Sequence, residues 1–204
     1  MTGPHQIRFT VGSRLLHWLM AVMVLAMLFI GAGMAATESG RYHLLLAIHR
    51  PLGIAILILA VIRLVNRLFN RPPPLPQTLP SWQRLAATAS HWLLYSLLFI
   101  LPLVGWGMLS AARYPIVMYG PLHLPPLLPH DPLLYARLRA LHTVLAYSLF
   151  AIFLAHLGAA LLHGLIRRDG VLASMASVQV DHDDEHQEQR KSGAGDAEQG
   201  DRAP

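Results

Sequence analysis

Four apolar stretches, at about residues 14–36, 42–68, 90–112 and 135–166, constrain this chain more than any other feature. A hydrocarbon core about 30 Å thick is crossed by roughly 20 helical residues, and each stretch is at least that long. Backbone groups in lipid must be satisfied within their own segment, so such stretches form helices. The expected fold is an all-α integral membrane protein, a bundle of four transmembrane helices. A composition of 54% hydrophobic and 13% charged residues agrees with this and argues against one or two soluble domains.

Charge divides the chain into two parts. Residues 1–180 carry thirteen Arg, no Lys and only Glu38, Asp131 and Asp169 as acids, whereas eight acids follow from Asp181 onward. The overall +5 therefore conceals a basic body and an acidic tail. The expected organisation is a membrane domain over residues 1–175 and a disordered tail over 176–204, which has no apolar periodicity. The arginines flank apolar spans and form no patch interleaved with aromatics, so nucleic acid is not an expected partner. With no cysteine, thiolate-bound zinc, iron–sulfur clusters and covalently attached haem are excluded.

Basic residues ahead of the first apolar run, and small residues at its end, resemble a secretory signal. Its length of about 22 residues exceeds the 7–15 of a signal core, so it reads as a retained span. Pro51 removes a hydrogen bond to Ala47 and predicts a kink or loosening beside His49. Arg71 leads into PPPLP, an extended connector to about Pro80. Ser81 and Trp82 then begin an interfacial segment ahead of the third span, which is bent at Pro102 and thinned at Gly105 and Gly107, where a neighbouring helix or a flat cofactor can approach. The segment from Arg113 to Pro132 is rich in Pro but strongly apolar, and is expected to fold back over the bundle mouth.

Four spans place both termini on one side. Eight arginines lie on that side against five opposite, which predicts cytoplasmic termini and a multi-pass protein of the bacterial inner membrane. Depth then decides which histidines can meet. The last span carries His142 and His156, about 40° apart around the helix and roughly 21 Å apart along it. His17 lies at the depth of His156, and His49 at that of His142. Each pair brings two imidazoles from different helices to one level, as the iron of a bis-His haem requires. A hydrogen-bonded interior role is the common fate of a single buried His, but four at matched depths in lipid point to function. Zinc is the other metal to consider; there is no HExxH and almost every acid lies outside the spans, so haem is favoured.

The residues that carry a family resemblance are Leu16-His17-Trp18, Ile48-His49 with Gly53, Ile100-Leu101-Pro102-Leu103-Val104-Gly105, Leu141-His142-Thr143, and HLGAALLH from His156 to His163. Over roughly Ile7 to Met175 the chain resembles the bacterial di-haem cytochrome b561 family, related to the membrane cytochrome b subunits of hydrogenases and formate dehydrogenases. The resemblance implies two non-covalent b haems, with His17 and His156 as one axial pair and His49 and His142 as the other. It also makes quinone the expected electron acceptor, with His163 as a candidate for binding it or relaying its protons, although an interfacial role facing water competes. Arg14, Arg50, Arg63 and Arg139 lie near span ends, where they are candidates to pair with haem propionates or to anchor in lipid headgroups. His91 opens the third span at the inner level, where it is a candidate to support a ligand, but an ordinary interface role is favoured.

Bis-His ligation fills both axial positions, so single-electron transfer is expected and oxygen activation at iron is not. The resemblance leaves two uses open. One is a superoxide oxidase, which passes electrons from superoxide to quinone; a positive outer mouth suits it. The other is an electron-transfer subunit for a periplasmic donor protein, docked on the apolar loop from Tyr114 to Pro129. A haem-free transporter or scaffold, its histidines forming a proton path, is the non-redox alternative.

Overall fold

The computed structural model describes residues 9–37, 40–70, 80–114, 116–117, 123–168 and Met175. Four helices, α1 (Val11–Ala35), α2 (Gly40–Phe69), α3 (Ser81–Ala111) and α4 (Pro132–Leu161), are each long and apolar enough to cross a membrane. Between α3 and α4 lies a small antiparallel pair, β1 (Ile116–Val117) and β2 (His123–Leu124), in which Ile116 faces Leu124. α1 packs mainly on α2 and α3 mainly on α4, and contacts between α2 and α3 join the two hairpins. α1 begins and α4 ends at one face, called the lower face below. The β pair lies at the opposite, capped face.

Local chemistry sets the helix starts. The Thr10 hydroxyl accepts from the Ser13 amide at 3.3 Å to cap α1, and one Asp131 carboxylate oxygen accepts from Leu133 and Leu134 amides at 2.8 and 3.0 Å to cap α4, with Pro132 at the first helical position. Two hydroxyls inside the fourth span bond backward along their own helix, Thr143 to Arg139 and Ser148 to Val144, which satisfies them without water.

Two boundaries differ from expectation. The third helix begins at Ser81 rather than near residue 90, because SWQRLAATAS contains no helix breaker and Pro80 suits the position before a first turn; the expected interfacial segment is its first turns. The fourth begins at Pro132 rather than Tyr135, since Asp131 supplies the cap. α2 is continuous through buried Pro51, and α3 through Pro102. The connector from Arg71 to Gln77, Arg8, Glu38, Asp169, Gly170 and the acidic tail lie outside the described residues.

Of two buried apolar clusters the smaller, of Ile54, Leu109 and Ile116, lies toward the capped face, and the larger is a layer at mid-depth. Met20 and Val24 of α1, Ile56, Leu59 and Ala60 of α2, Leu97, Leu98 and Leu101 of α3, and Leu149 of α4 bury one another there. Outward-facing residues are equally apolar: Val22, Phe29 and Val144 are 63%, 72% and 62% exposed, an arrangement stable only against lipid.

The capped face has its own stitching. Trp106 donates its indole N–H to the Pro125 carbonyl at 2.9 Å, the Ser110 hydroxyl accepts from the Leu127 amide at 3.0 Å, and the Ala111 carbonyl accepts from His130 Nδ1 at 2.9 Å and from the Asp131 amide at 3.1 Å. The segment from Pro125 to Asp131 is thereby held on the last turns of α3, as its apolar composition suggests. At the lower face Asn66 donates to the Ser13 hydroxyl at 2.7 Å, and Arg167 donates to the Gln83 side-chain carbonyl at 2.8 Å.

Candidate functional site: two histidine pairs on one helix

α4 supplies one histidine to each of two levels. Toward the capped face the His142 ring stands 6.2 Å from that of His49 on α2, centre to centre, and toward the lower face the His156 ring stands 6.5 Å from that of His17 on α1. The apolar core layer lies between the two levels. Depth alone predicts both pairings, and the structure brings the same four rings together.

The donor set says what each pair can hold. Among the described residues, no group of three or more His, Cys, Asp or Glu side chains converges as a metal site, so neither level offers the four protein ligands of structural zinc. Two imidazoles facing across a gap suit a metal whose remaining positions come from a macrocycle. Metal–nitrogen bonds of about 2.0–2.1 Å on either side place trans ring centres roughly 6 Å apart, close to both separations seen here. Buried Nδ1 atoms of His17, His49 and His142 lack hydrogen-bond partners, as does Nε of Arg50, and such groups are costly unless a ligand compensates. The residues present therefore fit haem.

Surroundings differ between levels. Gly105 on α3 lies against the His142 ring: a Cβ there would stand 3.2 Å from Cε1 and 3.4 Å from Nδ1. The Leu101 carbonyl, one turn earlier, lies near the same ring but outside hydrogen-bond geometry. At the lower level a third ring intervenes, since His91 of α3 stands 5.3 Å from His156 in an edge contact at 67°. The expected interface role of His91 thus becomes direct contact with a pair member. Nearby, Arg63 donates from Nε to the Tyr95 hydroxyl at 3.0 Å, and the guanidinium carbons of Arg63 and Arg67 lie 5.7 and 5.6 Å from the Tyr95 ring centre. Asp131 is the one acid among the described residues, and it is engaged in capping α4.

The other candidates are more dispersed. Arg14 is half-buried in the first turn of α1, and Arg139 is exposed near the start of α4. His163 lies in a π-helical turn, Leu162–Arg167, that closes with Arg168 in the left-handed conformation at φ 50°. Such turns are rare and recur at functional sites, and this one shifts His163 off the register that a regular α-helix from His156 would give.

Comparison with known proteins supplies the family. Residues 8–177 match the prokaryotic cytochrome b561 family. The chain belongs to that family. Cytochrome b561 homolog 2 of Escherichia coli is 34% identical over 171 residues, covering 82% of this chain and 90% of the relative. Cytochrome b561 homolog 1 of the same organism is 27% identical over 176 residues, covering 82% and 96%. A probable superoxide oxidase of Yersinia pestis is 32% identical over 133 residues, covering 63% and 72%. As a b561 cytochrome, the chain is a multi-pass membrane protein that binds b-type haem and takes part in electron transfer.

Proposed function

We propose that this b561 cytochrome holds two b haems, one on His49 and His142 and one on His17 and His156, and carries single electrons from a donor at the capped face to quinone at the lower face. The observation that supports this most is the stacking of two facing imidazole pairs, 6.2 and 6.5 Å apart centre to centre, on opposite sides of one apolar layer. Each haem, when bound, supplies reversible one-electron chemistry. The chain's own residues do the rest. His17, His49, His142 and His156 would hold the two haems, leaving no open position for oxygen at either iron. The layer of Met20, Val24, Leu59, Leu98 and Leu149 excludes water between the sites. Arg50, with its Nε buried and unpartnered beside His49, is suited to meet a propionate, and so is Arg63 at the lower level; Arg14 and Arg139 are weaker candidates. His163 is the residue suited to bind quinone or to pass it protons.

For the donor, we favour superoxide. Arg41, Arg50, Arg113, Arg137 and Arg139 lie toward the capped face, and Asp131 is the one described acid there, so small anions are drawn to it. One relative is named a probable superoxide oxidase, which agrees. In that reaction two superoxide anions lose one electron each and leave as O₂, while quinone gains two electrons and two protons. The arginine bias orients the lower face toward the cytoplasm of a bacterial inner membrane. The second reading is an electron-transfer subunit whose partner docks on the cap, favoured by its exposed Tyr114, Leu127 and Leu128.

Reduced-minus-oxidised spectra with pyridine haemochrome quantification test the haem assignment: two b haems per chain are expected, and well-folded protein without haem overturns it. Superoxide-dependent quinone reduction by the purified, haem-loaded chain then separates the two uses. No such activity rejects the oxidase reading.

A further inference from the structure

A cavity of about 380 Å³ lies beneath the cap, between the last turns of α3, the β pair and the Pro125–His130 segment. Its size is at the lower end of ordinary small-molecule sites, and its walls have their usual character, mostly apolar with a few polar groups. Trp106 and Tyr114 supply aromatic surface, and Ile116, Leu124 and the prolines at 125, 126 and 129 complete an apolar wall. Arg113, Tyr114 and His130 are its titratable members, and no carboxylate lines it among the described residues.

The walls are built rather than collapsed. Trp106, Ser110 and Ala111 each bond to the overlying segment, and Gly107 lets it down closely, since a Cβ there would stand 3.1 Å from Leu128 Cδ1. Arg113 adopts the left-handed conformation, φ 60°, held by its amide bonding to the Ser110 carbonyl at 3.0 Å and the Tyr114 amide to that of Leu109 at 2.9 Å. A non-glycine residue in that region costs energy, and here the residue held there lines the cavity. His130 must use Nδ1–H to reach the Ala111 carbonyl, which leaves Nε2 as an acceptor in the neutral ring.

We propose that this cavity binds a small aromatic carboxylate, its ring against Trp106 and Tyr114 and its carboxylate on Arg113, with Nε2 of His130 able to accept from a ring hydroxyl. A planar guanidinium beside aromatic and proline surface, with no competing acid, is matched by a flat apolar body ending in a carboxylate. The site is separate from the histidine pairs: Ser110 lies five residues beyond Gly105, roughly 7.5 Å further along α3 toward the capped face. It does not depend on the proposed electron path.

The test is a ¹⁹F NMR titration of 4-(trifluoromethyl)benzoate against the full haem-loaded chain in phosphatidylcholine nanodiscs. Saturable binding is expected, weakened about tenfold or more in Arg113→Gln and less in Arg113→Lys. The neutral 4-(trifluoromethyl)benzamide should bind at least tenfold more weakly than the acid. Leu128→Trp, which fills the cavity, should abolish binding while the haem spectrum is unchanged. Absence of saturable binding, equal binding of the amide, or indifference to Arg113→Gln overturns the proposal. Anionic phosphatidylglycerol discs provide the last arm: displacement of the benzoate there would assign the anion site to a lipid headgroup and overturn the free-acid assignment.

Discussion

The two histidine pairs use the same pair of side chains in unlike surroundings. At the capped level, His142 lies against a glycine on α3, and Arg50, next to His49 in the chain, has its Nε buried. At the lower level His156 touches His91, and Arg63 and Arg67 share the Tyr95 ring. A close cation would stabilise the reduced, less positive state of a haem held at either level. In the proposed assignment the same ligand type would make the sites alike, whereas charge and packing around the histidines make them different.

The sharpest way to break this comparison is to remove one ligand at a time. His49→Ala and His156→Ala should each lower haem content from two per chain to about one, with different absorption features lost; loss of both haems in either variant would mean the levels are not separable. Next in size is Gly105→Leu, which puts a side chain where a lone Cβ already stands 3.2 Å from the His142 ring. It should empty or distort the capped site and leave the lower one intact, and Gly105→Ala should do so partially, at roughly 1–3 kcal/mol. Paramagnetic resonance of the two low-spin signals would read the selectivity. Arg63→Gln should lower the potential of the lower haem by tens of millivolts, the scale of about 1 kcal/mol, with little change at the upper. Redox titration checks it, and an equal shift at both levels would remove the electrostatic asymmetry. His91→Phe keeps a ring beside His156, so haem content should hold while the lower resonance signal moves. Smallest is Asp131→Ala, which should cost about 1 kcal/mol of stability through the α4 cap without altering either haem spectrum.

Much of the site was legible in the sequence because helical depth follows from counting residues along an apolar span. That argument pairs His17 with His156 and His49 with His142, and it requires only that four helices alternate in direction. Gly105 was legible as a place of close approach, but not the identity of what approaches. His91 was harder: its depth matches the lower pair, yet the face of α3 that meets α4 depends on how the helix is rotated in the bundle, which residue counting does not supply. The π-helical turn at His163 carries no sequence signal of its own, since it arises where the end of α4 changes register.

What the sequence by itself determined is the membrane bundle and the level of each histidine, because apolar length and a rise of 1.5 Å per residue act locally along each helix. Tertiary structure alone decided which rings touch, that Gly105 seats His142, that Arg63 and Arg67 share one tyrosine, and that the cap encloses a cavity. Those features depend on helix rotation and on loop bonds between residues distant in the chain, and both are settled only when the helices pack.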